Sequence, residues 1–156
     1  MRIGFGKDIH KTIIGENLVL GGILIPCDFG LEAHSDGDVV IHSLVDAILG
    51  ALNDGDIGTH FPDNDDKYYK ISSLYFLKYV ENKLSSAGYF IENIDIHITC
   101  EKPKLRPYID MMKEKIAHTL KIDKEKVSIK AGTNEGIGEI GKGYAIESTA
   151  VVLINK

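Results

Sequence analysis

The chain lacks the composition of several large protein classes. Its 156 residues include only two cysteines, Cys27 and Cys100. Two are too few for a disulfide framework, so a reduced, cytoplasmic setting is expected. No apolar run reaches the roughly 18–20 residues that a membrane helix needs. The first ten residues also lack the long apolar stretch of a signal peptide. We therefore expect no membrane partner and no secretory leader.

An excess of basic residues is also missing. Lysine and arginine total 18 against 23 aspartates and glutamates, which gives a formal net charge of −5. Non-specific binding to nucleic acids depends on clustered basic residues. No nucleic-acid partner is therefore expected. A phosphorylated small molecule remains compatible with this charge, because it needs only local positive groups.

Signatures of a protein nucleophile or a nucleotide-binding loop are absent as well. The chain has no G-x-S-x-G motif and no CxxC pair. Its glycine-rich segment at 132–143 does not close with the GK[ST] of a Walker A loop. The acidic loop at 56–66 lacks the ligand spacing of an EF-hand. Chemistry at a protein nucleophile is therefore not indicated.

What is present is the composition of one ordinary globular domain over residues 1–156. Hydrophobic residues make up 44% of the chain and charged residues 26%, close to typical values. The 16 glycines exceed the usual share and indicate turns or ligand loops. No repeat or linker divides the sequence.

Periodicity predicts three helices, four longer strands and one small hairpin. The helices are predicted over 38–52, 69–87 and 107–120. The strands are predicted over 1–9, 89–101, 127–131 and 144–154. The hairpin covers 17–26 and turns at Gly21-Gly22. These elements predict an α+β fold with a mixed four-stranded sheet, three helices on one face of it and a small β-hairpin.

The last predicted strand is largely apolar on both faces, which indicates cover on both sides. Three helices cover only one face of such a sheet. The other face is mixed in character and holds Asp95, His97, Thr99, Glu101, Lys130 and Glu147. Either this face meets water or it packs against another subunit, and we favour the subunit.

A carboxylate and two imidazoles suggest a metal site. Asp8 and His10 are two apart on a strand, so they share a face, and both are ligand types that zinc uses. His42 lies on the first helix with Asp38 and Asp46 four residues to either side. The alternatives are a surface Asp-His pair and a helix histidine paired with its aspartate neighbours. Asp46 is predicted to accept the second N–H of a metal-bound His42.

Three loops complete the candidates, and each also has an ordinary explanation. The acidic loop DIGTHFPDNDD at 56–66 is typical of a solvated turn. The glycine-rich segment 132–143 can cradle phosphates through its backbone N–H groups, or it can be a long turn. The basic segment CEKPKLRP at 100–107 can be a solvated turn after a strand.

Taken together, these pieces resemble the 2-C-methyl-D-erythritol 2,4-cyclodiphosphate synthase family over nearly the whole chain. The matching segments, in order, are MRIGFGKDIH at 1–10, LGGILIP at 20–26, AHSDGDVVIHSLVDAILGAL at 33–52, GDIGTHFPD at 55–63, KPKLRP at 102–107 and KAGTNEGIGEIGKG at 130–143. The pairing of AHSDGDVVIH with DIGTHFPD is the most specific part of this resemblance.

The resemblance implies a phosphorus–oxygen lyase of the non-mevalonate isoprenoid pathway. Its substrate is 4-diphosphocytidyl-2-C-methyl-D-erythritol 2-phosphate. The 2-phosphate attacks the β-phosphorus, CMP leaves, and a 2,4-cyclodiphosphate forms. The resemblance also implies a homotrimer with the sheets facing the three-fold axis and with active sites between adjacent subunits.

The resemblance further assigns roles to individual residues. Asp8, His10 and His42 take the positions of Zn²⁺ ligands, and Glu135 that of a ligand to Mg²⁺ or Mn²⁺ between the α- and β-phosphates. His34, Thr133 and Glu135 are implied as catalytic residues. The implied substrate-binding residues are His34, Ser35, Asp56, Ile57, Gly58, Phe61, Asp63, Asp65, Cys100, Lys102, Pro103, Lys104, Leu105, Arg106, Gly132, Thr133, Asn134 and Lys142.

Two other functions stay open at this point. A metal-dependent phosphoesterase on the same scaffold would use water as the nucleophile and release open-chain phosphates. A non-catalytic zinc-binding trimer would bind metal without turnover.

Overall fold

A computed structural model describes all 156 residues, and its strands form two sheets. The strands are β1 (Arg2–Ile14), β2 (Leu18–Leu20), β3 (Ile23–Ile25), β4 (Phe29–Leu31), β5 (Phe90–Thr99), β6 (Val127–Gly132) and β7 (Ala145–Asn155). The helices are α1 (Val39–Leu52), α2 (Ile57–His60), α3 (Leu74–Ser86), α4 (Ile109–Leu120) and α5 (Gly138–Gly141). No helix combines the length and apolar character needed to cross a bilayer.

The main sheet is mixed and has the strand order β4-β1-β7-β5-β6. Strand β7 pairs antiparallel with both β1 and β5, and β5 pairs parallel with β6. The carboxyl ends of β1, β5 and β6 therefore lie at one edge of the sheet. The predicted hairpin is confirmed as a separate sheet of β2 and β3.

The α+β class is confirmed, but the prediction of four strands in the main sheet is wrong. The fifth strand, β4, lies in a segment for which no helix or strand was predicted. It extends over three residues and pairs Leu31 with Thr12 on an elongated β1. A strand of three residues is too short to show a period in the sequence, so only the pairing with β1 identifies it.

One face of the sheet forms the core. Helix α1 packs on β1 and β7, α4 packs on β6, and α3 packs against both helices. Ile94, Ile96 and Ile98 of β5 point into this single apolar cluster and are fully buried. The alternation predicted for this strand is therefore confirmed.

The opposite face of the sheet is open in the single chain and carries large apolar side chains. Ile3 is 71% exposed, Phe5 62%, Ile9 49% and Val151 42%. Phe5 pairs with Val151 across β1 and β7. The side chains of this apolar strip therefore lie next to one another on the open face.

Two glycines allow α1 to lie directly on β1. A Cβ atom at Gly4 would lie 1.7 Å from the carbonyl oxygen of Ala47, and one at Gly6 would lie 1.9 Å from that of Ser43. Only glycine permits such a close approach of strand and helix. This contact brings the even-numbered side chains of β1 up to the side chains of α1.

Candidate active site

Close packing of β1 on α1 assembles three potential metal ligands. Asp8 and His10 extend from β1, and His42 extends from α1. Asp8 Oδ2 lies 2.8 Å from His10 Nε2 and 3.0 Å from His42 Nδ1, and the two nitrogens are 3.2 Å apart. Ligands of a tetrahedral zinc ion at about 2.0–2.1 Å are roughly 3.3 Å from each other. The donor set and its spacing therefore fit one metal ion.

Second contacts of the two imidazoles orient them toward this group. His10 Nδ1 lies 2.9 Å from the carbonyl oxygen of Glu32. A carbonyl oxygen only accepts, so Nδ1 carries the proton and leaves Nε2 of the neutral ring free to bind a metal. His42 Nε2 lies 2.8 Å from Ser73 Oγ and 3.0 Å from Ser35 Oγ.

The structure does not show the predicted contact between His42 and Asp46. Asp46 Oδ1 instead accepts a hydrogen bond of 2.7 Å from the backbone N–H of Ile57. Helical spacing places Asp46 near His42, but the ring nitrogens point toward Asp8 and toward two serines. Asp46 therefore anchors the start of α2, one wall of the site, and does not orient a metal ligand.

Electrostatics of the group favour an ionised Asp8. Burial opposes its ionisation, yet the hydrogen bonds and charges of His10 and His42 hold the pKa of Asp8 well below its usual range. Burial likewise disfavours a charged His10, but the Asp8 carboxylate raises the His10 pKa above its ordinary value. A divalent cation held by these three residues would take the place of the proton that this cluster attracts.

A cleft of about 550 Å³ opens next to the three ligands. Of the predicted substrate-binding residues, six line this cleft: His34, Ser35, Ile57, Gly58, Phe61 and Asp63. Glu32, Asn64, Tyr68 and Phe76 complete much of the wall. Asn64 lies in the predicted acidic loop at 56–66, whereas Glu32, Tyr68 and Phe76 were not predicted as site residues. Ala33, Pro62 and the metal group account for the rest.

Two predicted residues shape the cleft without lining it. Asp56 forms the N-cap of α2 and accepts hydrogen bonds of 2.8 Å from the N–H and the hydroxyl of Thr59. The carbonyl oxygen of Asp65 accepts a hydrogen bond of 3.0 Å from His34 Nε2. His34 is thereby tied to the loop that follows Phe61.

Phe61 is mainly a packing residue of the wall. It is 8% exposed, and its ring centroid lies 4.4 Å from that of Phe76 and 4.9 Å from that of Tyr79. These aromatic contacts hold the loop that follows α2 against α3. This packing gives the acidic loop a fixed course, although its composition alone indicates a solvated turn.

A second cleft, of about 820 Å³, lies at the ends of β5 and β6. The predicted residues that line it are Cys100, Pro103, Lys104, Leu105, Arg106, Gly132 and Thr133. Lys104 and Arg106 are exposed and form no ion pair within the chain. Burial raises the pKa of the Cys100 thiol to about 12, so Cys100 is a poor nucleophile at neutral pH.

Three further predicted residues of these segments do not line this cleft. The Lys102 carbonyl accepts a hydrogen bond from Cys100 Sγ. Asn134 Nδ2 donates to the carbonyl of Ile137 at 2.7 Å. Lys142 forms an ion pair of 2.9 Å with Glu139.

Thr133 and Glu135 lie in one tight turn after β6. The Thr133 hydroxyl lies 3.4 Å from Glu135 Oε1 and accepts a hydrogen bond of 3.2 Å from the Glu135 N–H. Glu135 adopts a left-handed conformation with φ of 52°. Glu101 supports this turn, because its Oε1 accepts from Asn134 N at 2.7 Å. Glu101 lies in the predicted 100–107 segment, but its contact with this turn was not predicted, because Asn134 is distant from it in sequence.

The two clefts share no lining residue. The structure thus brings together Asp8, His10, His42, His34 and Ser35 in one cleft. It gathers the 100–106 and 132–133 segments in the other. Strand β7 and its neighbours separate the two groups within the chain.

The fold and the first cleft define a class of protein. It is an α+β domain with an open Asp-His-His metal group at the mouth of a cleft, an arrangement typical of metal-dependent enzymes. A protein-family model, that of the YgbB family, matches residues 1–155. The chain belongs to the YgbB family.

Individual relatives agree with this assignment. The 2-C-methyl-D-erythritol 2,4-cyclodiphosphate synthase of Lachnospira eligens is 50% identical over 155 residues, which is 99% of this chain and 85% of the relative. The synthase of that name from Brachyspira hyodysenteriae is 52% identical and covers 100% and 99%. A solved structure described as an IspF–CDP complex from Plasmodium falciparum has a TM-score of 0.87 at 39% identity. It covers 98% of this chain and 94% of that one. The family resemblance of the sequence is confirmed.

Proposed function

We propose that the protein converts 4-diphosphocytidyl-2-C-methyl-D-erythritol 2-phosphate to 2-C-methyl-D-erythritol 2,4-cyclodiphosphate and CMP, a phosphorus–oxygen lyase reaction of isoprenoid biosynthesis. The observation that carries the proposal is the Asp8-His10-His42 group beside a cleft that holds His34 and Ser35. Relatives about 50% identical over nearly the full chain carry the name of this synthase. The cytoplasmic location stays a prediction.

The reaction needs no protein nucleophile. An oxygen of the 2-phosphate forms a bond to the β-phosphorus, and the bond from that phosphorus to the bridging oxygen breaks. CMP leaves with the electron pair. Holding both ends of one molecule in line can contribute roughly 7–11 kcal/mol. The raised pKa of Cys100 agrees with this scheme.

Charge is the main obstacle to ring closure. Two phosphates brought to ~4 Å repel each other by about 4 kcal/mol at an effective dielectric constant of 20. Divalent cations neutralise this charge and stabilise the leaving phosphate. In the proposal Asp8, His10 and His42 hold Zn²⁺, and Glu135 holds Mg²⁺ or Mn²⁺. The metals explain how a chain with a net charge of −5 binds a polyanion.

The chain's own residues position the substrate. In the proposal His34 and Thr133 contact phosphate oxygens of the substrate. Ser35 contacts the phosphate and the methylerythritol, while the 56–58 segment and Asp63 face the polyol. The 100–106 segment holds the cytosine with backbone groups, and the unpaired cations Lys104 and Arg106 lie near the phosphates. CDP in the P. falciparum complex supports a cytidine diphosphate-linked substrate.

We further propose a homotrimer with the active sites between adjacent subunits. In one chain the metal cleft and the 100–106 cleft are separate, yet a single substrate has to reach both. The exposed apolar strip of Ile3, Phe5, Ile9 and Val151 supports association through the open face of the sheet. Packing of this face around a three-fold axis would place one subunit's metal cleft beside the next subunit's 100–106 cleft.

The experiment that tests the reaction is turnover in H₂¹⁸O followed by mass spectrometry of the products. Intramolecular attack predicts no ¹⁸O in CMP or in the cyclic product. A phosphoesterase would place one ¹⁸O in an open-chain phosphate. Zinc binding without any product would indicate a non-catalytic protein.

Mixed oligomers test the shared site. We expect His42→Ala and a Thr133→Ala/Glu135→Ala double variant to be inactive alone. After random reassembly of equal amounts, roughly a quarter of the sites should combine two intact halves. The mixture should therefore show roughly a quarter of the activity of the same total amount of wild-type protein. Continued inactivity after mixing, or a monomer by light scattering, would contradict the composite site.

Glu135→Gln is expected to keep zinc and to raise the Mg²⁺ concentration needed for half-maximal rate by about tenfold or more, because an amide is a weaker ligand for Mg²⁺ than a carboxylate. The matched control is Glu139→Gln, which removes a nearby carboxylate that pairs with Lys142. An unchanged Mg²⁺ titration for Glu135→Gln would reject its role.

A further inference from the structure

Ser73, at the start of α3, does not play the usual part of a helix N-cap. A serine at this position commonly accepts a hydrogen bond from a backbone N–H of the first turn. The Ser73 side chain makes no such bond. It is fully buried, and its Oγ lies 2.8 Å from His42 Nε2. The hydroxyl therefore faces the metal group rather than its own helix.

Asp36 holds Ser73 in this position from the other side. Its Oδ1 accepts the hydroxyl proton of Ser73, and its Oδ2 accepts the Ser73 N–H at 2.9 Å. Asp36 is itself fixed, because its Oδ1 also accepts from Asp38 N at 3.1 Å and its N–H donates to the carbonyl of Ile71 at 3.0 Å. Two points of attachment define where the Ser73 oxygen lies.

The protons of this chain of contacts can be assigned. A carboxylate only accepts, so the single hydroxyl proton of Ser73 goes to Asp36. The Ser73 oxygen is then an acceptor toward His42, whose Nε2 must carry the proton. His42 Nδ1 keeps its lone pair and points at Asp8 and His10. The Ser35 oxygen lies 3.0 Å from the same Nε2 and is also an acceptor toward it. The Ser35 hydroxyl proton is therefore free to be donated to a group in the cleft.

We infer that Ser73 and Asp36 are positioning residues for the metal ligand His42, forming a hydroxyl–carboxylate relay that fixes its tautomer and ring orientation and raises the metal affinity of the site. The inference rests on the metal site of the proposed function. Ser73 and Asp36 thus take the role that was predicted for Asp46. Outer partners of metal-bound histidines typically change metal affinity by 10–100-fold.

The test is zinc affinity by chelator competition on the full-length protein, together with the visible absorption spectrum of the Co²⁺-substituted protein. We expect Ser73→Ala to weaken zinc binding by about 10–100-fold and to alter the Co²⁺ spectrum. Ser73→Thr keeps the hydroxyl and should restore most of the affinity. If Ser73→Ala does not fold, Asp36→Asn gives the same test, with an expected loss of about tenfold.

Ser43→Ala is the matched control. Ser43 is a fully buried serine on α1 next to His42, but its hydroxyl bonds to Ser148 Oγ at 2.9 Å and not to the ring. It should leave zinc affinity and the Co²⁺ spectrum unchanged. Equal zinc affinity of Ser73→Ala and wild type, or an equal loss in Ser43→Ala, would overturn the relay.

Failure of the proposed function is distinguishable from failure of the relay. Wild-type protein that binds zinc but forms no cyclic diphosphate would refute the function and leave the relay to be decided by Ser73→Ala. Wild-type protein that binds no zinc would refute both.

Discussion

Replacing His42 with alanine is expected to remove bound zinc and to lower CMP release by roughly 10³-fold or more, since a metal ion supplies several kcal/mol of transition-state charge stabilisation. His42 contributes one of only three protein ligands, and its ring nitrogen lies within 3.2 Å of both of the others. The measurement is zinc content by elemental analysis and initial rate in saturating substrate.

The control for this substitution is His118→Ala. His118 is an exposed histidine near the end of α4, outside both clefts. It should keep full zinc content and rate, and thermal unfolding should show that His42→Ala remains folded. Wild-type activity in folded His42→Ala would remove this residue from the metal site.

Gly6→Ala is expected to lower the free energy of unfolding by about 3 kcal/mol or more. This is at or above the upper end of the loss that follows when extra atoms are inserted into a packed core. Its Cβ would lie 1.9 Å from the carbonyl oxygen of Ser43, a backbone atom that cannot move aside without shifting α1. Because Asp8 and His10 lie on the same strand, zinc affinity should fall as well. Urea unfolding and chelator competition measure the two effects.

Gly50→Ala is the matched control for this contact. Gly50 lies on α1, and an added Cβ there would meet only the carbonyl oxygen of Phe5, at 3.9 Å. Alanine is the better helix former by about 0.5–1 kcal/mol, so this variant should be as stable as wild type or slightly more. Equal stability of Gly6→Ala and wild type would refute the close packing of β1 on α1.

Regular elements could be predicted from the sequence where their period was long enough to see. The apolar spacing from Val40 to Leu49 identified α1, and the isoleucine alternation identified β5. Strand β4 and helix α2 contain three and four residues, too few for a period. Helix α3 begins at Leu74 rather than near Tyr69, because a short 3₁₀ turn at Asp66–Tyr68 and an irregular stretch precede it.

The candidate site likewise has a part that could be predicted from the sequence and a part that could not. The metal group could be predicted from Asp8, His10 and His42 because their residue types already limit the chemistry. The hydrogen-bond partners of the two imidazole rings could not be predicted. Ser73 is 31 residues from His42, and only the docking of α3 on α1 brings them together. The link from Glu101 to Asn134 spans 33 residues and likewise depends on the pairing of β5 with β6.

The central claim is that a metal held by one acid and two imidazoles lets this chain fold a diphosphate back on its own phosphate group. Its most direct test is ³¹P NMR of the substrate mixed with metal-stripped protein, before and after addition of one equivalent of Zn²⁺ with excess Mg²⁺. The account predicts no change before addition, then the signals of the 2,4-cyclodiphosphate and of CMP in equal amounts. Open-chain phosphates as the only products, or an unchanged spectrum from zinc-loaded, assembled protein, would contradict it.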